Sequence, residues 1–457
     1  MDRFTRTADI IKAYYSYKQT ADSATFVKKV CSFFDFIKDE SLSDADLNLL
    51  LFLANEAGIP QYYDLLKSKF TNAEIGDESI NSLTMSALFH DASLIRGDSK
   101  LHRYQKHVLD SFVATQRNRY VLTAPTSFGK TFLVYEIIQK MQYQNVLLIF
   151  PAISLLSENY ARLCSWEAFS DYAIHSLSEE EFDITQKNIF IFTPERFLSF
   201  MDSHQHLHFN FAFIDEVYKI DNSFVIDQET SGENERDTAY RLALEFICNL
   251  TDNMLLAGPY MALPTAETEL HKSFNDFARD NGFVFLRYNQ FEIVSKEYTT
   301  VKSRQQYIID NIPVEIGSAS KTQKIANIIL ALSSPTENTI IYCNRKSDTE
   351  SYARQLLNNQ ELISIFQERC SAVDAPVYEI FLEHLQNTFG DDWIVLKALK
   401  GRIGIHHSLV PKYIQKEIIS LFNCGALICL FSTTTITEGV NTSCLLYTSD
   451  AADERSS

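Results

Sequence analysis

Ala124-Pro125-Thr126-Ser127-Phe128-Gly129-Lys130-Thr131 constrains this chain more than any other stretch of it. The octet follows a short apolar run, Tyr120-Val121-Leu122-Thr123, and leads into Phe132-Leu133-Val134 at helical spacing. A strand that turns tightly into a helix aims backbone amides and the positive helix end at one point, as a phosphate loop requires. In that reading Ala124, Ser127, Gly129, Lys130 and Thr131 cradle a nucleotide. Lys130 reaches the terminal phosphates as a point charge, and the Thr131 hydroxyl ligates magnesium. Ala124 stands where the general pattern has Gly. The competing reading is a Gly-Lys-Thr turn between two buried elements.

The surrounding chain favours the nucleotide. It has 457 residues, 46% of them hydrophobic, enough for two or three domains with their own cores. From about Leu101 short apolar runs alternate with amphipathic stretches: Val146–Phe150, Ile189–Phe192, Phe211–Ile214 and Met254–Ala257. Strand-length runs without polar alternation predict a parallel sheet covered on both faces. A second set, Thr339–Cys343 and Ala426–Phe431, predicts a second α/β lobe, with a mostly helical insertion over about 350–400. Residues 1–100 carry apolar positions at helical spacing (Phe26, Val30, Phe33, Phe34, Ile37; Leu47, Leu50, Leu51, Ala54) and predict an α-helical region without a catalytic constellation.

The run ending at Ile214 is followed by Asp215-Glu216, two carboxylates at the exit of a buried strand, where open α/β sheets bind ligands. Asp215 is expected to hold the magnesium, and Glu216 to face the attacking water as general base. Lys130, Asp215 and Glu216 are thus the candidate catalytic residues. The net charge of −18 excludes binding of nucleic acid by bulk electrostatics alone, but not a local groove of amides and hydroxyls. Eight cysteines without a Cys-x-x-Cys pair read as reduced core thiols, Cys424 and Cys429 among them in one buried strand. His204, His206 and His208 alternate before the Asp215 strand and read as a solvated loop rather than a metal site. The acidic stretch from Asp227 to Asp237 reads as a mobile loop. No run reaches membrane-spanning length, so a cytoplasmic protein is expected.

In order, these segments resemble a superfamily 2 nucleic-acid helicase of the DExH type, nearest the Ski-two-like branch, over about Leu101 to Ser443. Arg103-Tyr104-Gln105 stands where that family places the glutamine that reads adenine. Ala124–Thr131 matches its motif I, Phe150–Leu156 is similar to motif Ia, and Thr193-Pro194-Glu195-Arg196 to motif Ib. Asp215-Glu216-Val217-Tyr218 occupies motif II and Leu256–Tyr260 motif III. Ile340–Asn344 resembles motif IV, and Phe431–Asn441 is close to motif V.

The resemblance implies two tandem RecA-like lobes, over 101–299 and 300–443, the second incomplete, that grip ATP and Mg2+ between them. It also implies a DNA or RNA strand held by Pro151, Thr193, Pro194, Arg196 and Thr433, with Gly439 near the nucleotide. Single strands and duplexes with overhangs are both candidate partners, and residues 1–100 the candidate docking region for a protein. Tyr218 replaces the usual His or Asp, and motif III is Ala-Gly-Pro-Tyr, which puts the coupling of hydrolysis to strand separation in doubt. Lys400–Gly404 superficially resembles part of motif VI, which carries the arginine finger, but precedes motif V. His406-His407 reads as structural or strand-contacting. From Cys444 the text leaves the family pattern and reads as adapter-derived, so residues 444–457 are expected to be a non-native tail on a truncated gene; an authentic polar tail is the alternative. Three functions remain open: an ATP-driven helicase or translocase, with defence against phage among its settings; an ATP-gated nucleic-acid clamp that does not unwind; and an unrelated phosphate-loop ATPase acting on proteins.

Overall fold

The computed structural model describes residues 3–38, 40–63, 95–96, 99–220, 235–259, 261, 272–292, 306–309, 312–315, 321–331, 338–371, 376–433 and 446–449. The chain divides into two compact units, Met1–Glu297 and Tyr298–Ser457.

The first unit opens with three helices, α1 (Arg3–Thr20), α2 (Ser23–Ile37) and α3 (Asp44–Ala57), as their apolar spacing predicts. Ser43 and Asp46 close a reciprocal capping box that starts α3, and Gly58, at φ +73°, ends it in the left-handed conformation. After a short hairpin of β1 (Ile95–Arg96) and β2 (Ser99–Lys100) comes α4 (Arg103–Ser111). Then β3 (Arg119–Thr123), α5 (Lys130–Met141), β4 (Asn145–Ile149), α6 (Ile153–Ser165), β5 (Tyr172–His175), β6 (Lys187–Phe192), α7 (Pro194–Ser203), β7 (Phe209–Ile214), α8 (Glu235–Leu250), β8 (Thr251–Gly258), α9 (Lys272–Asp280) and β9 (Val284–Arg287) follow. The sheet is all parallel, in the order β5-β6-β4-β7-β8-β3-β9.

Both faces of this sheet are covered, which is why its strands read as unbroken apolar runs. Alternate residues serve two separate cores. Val146, Leu148, Phe211, Phe213, Leu255 and Ala257 join the core that also holds Phe26, Val30, Phe34 and Leu50 of the N-terminal helices. Leu147, Ile149, Ala212, Ile214, Met254 and Leu256 face the opposite core, with Phe197, Phe200, Tyr240 and Ile247 of α7 and α8. The N-terminal helices are therefore part of the first lobe's own packing.

Buried Arg119 anchors the start of β3. Its guanidinium donates to the Cys248 and Thr251 carbonyls at 2.7 and 2.6 Å, where α8 ends and β8 begins. A cation at a helix C-terminus offsets the exposed carbonyl charge, and here it also sets β3 beside β8.

The second unit carries an antiparallel pair, β10 (Gln306–Ile309) and β11 (Ile312–Glu315), then α10 (Lys321–Ala331), β12 (Thr339–Tyr342), α11 (Lys346–Leu357), α12 (Gln360–Cys370), α13 (Pro376–Phe389), α14 (Ile394–Lys400), β13 (Ile403–His406), α15 (Lys412–Asn423), β14 (Cys429–Ser432) and β15 (Leu446–Ser449). A four-stranded parallel sheet has the order β13-β14-β12-β15. Its apolar core joins Ile340, Ile405, Leu430 and Phe431 to Leu356, Phe366, Leu385 and Leu396 of α11 to α14. The molecule is thus a mixed α/β protein with two RecA-like parallel-sheet lobes and N-terminal helices. Leu446–Ser449, within the stretch read as a tail, lies beside β12 as the edge strand.

One expectation is corrected. Cys424 does not lie in a buried strand with Cys429; it caps α15 and is exposed, because the strand begins only at Cys429. Cys164 is exposed too, while Cys31, Cys248, Cys343, Cys370 and Cys429 are buried thiols. Of the acidic stretch, residues 227–234 lie outside the described residues, and Glu235-Arg236-Asp237 form the first turn of α8.

Candidate nucleotide and nucleic-acid site

Apart from Arg103-Tyr104-Gln105, which opens α4, the motifs of the first lobe lie at the C-terminal ends of its strands. Following the strand order, the exits of β6 and β4 carry Thr193–Arg196 and Pro151; those of β7, β8 and β3 carry Asp215-Glu216, Gly258 and the loop Ala124–Thr131. The residues assigned to a polymer and those assigned to a nucleotide thus occupy two adjoining stretches of one edge.

The loop turns through a 3-10 segment, Thr126–Phe128, to Gly129 at φ +74°, from which α5 starts with Lys130. A side chain at Gly129 would be strained by that φ, and its Cβ would lie 2.7 Å from the Gln105 amide nitrogen. Lys130 is half-buried, and its ammonium donates to the carbonyls of Ala124 at 3.2 Å and Pro125 at 3.0 Å. Burial holds its pKa below the usual lysine range, against the opposing charges of Asp215 and Glu216. Those carboxylates are therefore near enough to act on Lys130 across β8. Thr131, half-buried, is the next residue along.

Asp215 is tied to the sheet by its amide, which donates to the Ile149 carbonyl at 3.0 Å, and its Oδ1 accepts from the Glu216 amide at 3.0 Å. Glu216 adopts φ +51°, a left-handed conformation that a non-glycine residue holds at a cost. The turn is consequently sharp, and both carboxylates stay at the strand exit. A desolvated ammonium, a hydroxyl and a carboxylate at neighbouring strand ends are a donor set that fits a triphosphate and its magnesium. Lys130 is suited to the phosphate charge, Thr131 and Asp215 to the metal, and Glu216 to a water. Among the described residues no cluster of three His, Cys, Asp or Glu side chains is built to hold a metal by itself.

Gln105 serves the loop directly. Its amide nitrogen donates to the Phe128 carbonyl at 3.0 Å and the Gly129 carbonyl at 3.4 Å, while its oxygen accepts from the His102 amide at 3.1 Å. His102 was not singled out by the sequence reading. Its Nδ1 accepts from the Gln105 amide at 3.2 Å, so the proton sits on Nε2, which reaches the same Phe128 carbonyl at 3.1 Å. Ser127 donates to Glu292 Oε1 at 3.1 Å, another contact the sequence did not reveal. The Tyr218 ring lies against Gly258: a Cβ built there would sit 3.5 Å from it, so motifs II and III touch.

On the polymer side, Thr193 is buried and caps α7, accepting from the Arg196 amide at 3.4 Å; Pro194 takes the first helical position. Arg196, half-buried, donates to the Ser176 carbonyl at 3.0 Å. Pro151 is buried before α6, whose N-cap Ala152 offers no side-chain acceptor. His204 stacks on Phe200 with ring centroids 4.2 Å apart, while His206 and His208 are exposed.

In the second unit motifs IV and V meet at the same kind of edge. The Cys343 amide donates to the Ser432 carbonyl at 2.7 Å, and the Thr433 amide to the His406 carbonyl at 3.3 Å. Thr433 is buried, and Gly439 lies outside the described residues. Arg402 is spent inside its own unit, over the Tyr378 ring at 3.9 Å and bonded to the Ala426 carbonyl at 3.3 Å. His406 and His407 are buried at the end of β13.

Among the described residues no helix is long and apolar enough to cross a membrane. Residues 98–249 match the family model described as "Type III restriction enzyme, res subunit". The chain is 24% identical over 381 residues to the "Anti-bacteriophage protein B" of Escherichia coli (strain K12), a match covering 83% of this chain and 45% of that protein. The chain therefore spans less than half the length of this relative. Residues 98–249 thus carry a helicase-like domain similar to a superfamily 2 family of restriction-enzyme subunits.

Proposed function

We propose that this chain is the motor portion of an ATP-dependent nucleic-acid translocase or helicase that acts in defence against phage. The observation that carries the reading is the convergence of Lys130, drawn into its own loop, with Asp215 and Glu216 at nearby strand exits of one parallel sheet. Magnesium held by Thr131 and Asp215 would neutralise phosphate charge; Lys130 binds the phosphates, and Glu216 orients water and takes its proton. Gln105 adds its hold on the loop, and its reading of adenine belongs to the same proposal. Backbone and side-chain groups at Pro151, Thr193, Pro194, Arg196 and Thr433 contact sugar and phosphate, so little base sequence is read. The N-termini of α6 and α7, at adjacent strand exits, suit a phosphodiester chain. The name of the relative supports the defence setting, and Asp215-Glu216-Val217-Tyr218 keeps the two carboxylates of the DExH pattern with Tyr218 in place of its fourth residue.

A second reading, an ATP-gated clamp that does not unwind, draws on the Tyr218 ring against Gly258, an apolar contact where the resembled family couples turnover to motion through polar groups. The ATPase rate with no polymer, single-stranded DNA, duplex DNA and RNA tests both readings, followed by strand displacement. Stimulation by one polymer with displacement supports the motor, and stimulation without displacement the clamp. No stimulation by any polymer contradicts both. Lys130→Ala is expected to abolish the ATP-dependent rate while leaving nucleotide-free polymer binding in place; loss of both together would make Lys130 structural.

A further inference from the structure

The chain that follows β9 returns to the phosphate loop and is pinned there. The Tyr288 amide donates to the Thr123 carbonyl at 2.8 Å. The Thr123 hydroxyl donates to Asn289 Oδ1 at 2.6 Å, and Asn289 Nδ2 to the Met261 carbonyl at 2.9 Å. Phe291 stacks on Tyr104, centroids 3.9 Å apart, one residue before Gln105. Glu292 is thus delivered to the loop by the contacts of three preceding residues, Tyr288, Asn289 and Phe291, and its Oε1 accepts from Ser127 Oγ at 3.1 Å. Its charge is felt on the other side by Tyr62 and Cys31, whose pKa values are raised first by burial and to a lesser degree by Glu292.

Ser127 lies in the middle of the loop that the nucleotide reading assigns to the phosphates, so a carboxylate bonded to its hydroxyl would meet the rim of that site. We propose that Glu292 belongs to the nucleotide site and sets its affinity by opposing the phosphate charge. The assignment rests on the nucleotide reading above and deepens it. A triphosphate that enters the loop either holds a like charge beside it or displaces Glu292 from Ser127. Affinity falls in both cases. The loss grows with phosphate charge, so ATP is affected more than ADP, and adenosine not at all. A residue that merely braced the loop would act in the opposite sense, since its removal would loosen binding.

Calorimetric titration of the full chain with ATP, ADP and adenosine, in magnesium at low and high salt, tests this. Glu292→Gln keeps the size and can still accept from Ser127, but has no charge. It is expected to bind ATP roughly tenfold more tightly, the scale of one like-charge contact near a protein surface. The gain is expected to be smaller for ADP, absent for adenosine, and to shrink as salt screens it. Unchanged or weaker ATP binding by Glu292→Gln overturns the assignment, whether or not its melting temperature also drops. If the wild type binds ATP, Lys130→Ala does not, and Glu292→Gln equals the wild type, Glu292 alone is misassigned. If the wild type binds no ATP, the nucleotide reading falls with it.

Discussion

His102 has both ring nitrogens committed, one accepting from the Gln105 amide and the other donating to the Phe128 carbonyl. A second proton would have to break the first of these bonds inside a buried site. Burial lowers its pKa from 6.5 to about 4. The folded state therefore binds this proton later than the unfolded chain, so the stabilisation is complete above pH 6.5 and is lost as pH falls toward 4. The shift corresponds to about 3 kcal/mol. His102→Asn, which can still cap α4, is expected to show a smaller fall in melting temperature between pH 7 and pH 5 than the wild type. An equal fall in the two would contradict this account of His102. The loop residues were legible in the sequence because they are contiguous and their spacing is fixed by strand and helix. His102 and Glu292 were not, because they meet the loop across 26 and 165 residues, and no periodicity records such a contact.

At the scale of elements, α3 and α4 are coupled at one point. The Gly58 carbonyl accepts from the Arg103 amide at 3.0 Å, and the Arg103 guanidinium donates to the Asn55 and Glu56 carbonyls at 3.1 and 3.3 Å. Arg103 thereby caps the C-terminus of α3 while starting the helix whose first turn grips the phosphate loop. Gly58 makes this approach feasible, since a Cβ there would come 2.7 Å from Arg103 Cβ, at a φ of +73°. Gly58→Ala is expected to destabilise the first unit by about 2–4 kcal/mol, combining left-handed strain with overpacking. Urea unfolding of the full chain followed by fluorescence checks it; an unshifted midpoint would show the junction to be loose. The helices and the parallel strands themselves were readable, because burial on one face or two leaves a period of its own. The joining of α1 to α3 with the first lobe's core was not, because the apolar stripes of α2 and α3 state that something is buried and not against what.

At the scale of the molecule, a chain of net charge −18 is proposed to hold a polyanion, so bulk attraction is not what would hold it. The residues proposed to meet the polymer at the first sheet's edge are Pro151, Thr193, Pro194 and Arg196, the last bonded to the Ser176 carbonyl. Two parallel-sheet units in one chain suit a stepping motor, whereas a phosphate-loop ATPase acting on proteins has no need of the second. The two-lobe α/β class was legible from the order of apolar runs. The polymer type was not, since contacts to phosphate carry little sequence information; a setting in defence against phage was among the expectations, and the name of the relative agrees with it. The central claim is that Lys130 and Asp215 together hold a magnesium nucleotide. Calorimetric titration of the full chain with ATP, with and without magnesium, tests it on the wild type, Lys130→Ala and Asp215→Asn. The account predicts one ATP per wild-type chain, at least roughly tenfold weaker binding in Lys130→Ala from the loss of a charge-assisted contact, and no gain from magnesium in Asp215→Asn. Equal affinity in all three proteins, or magnesium dependence that survives Asp215→Asn, would contradict it.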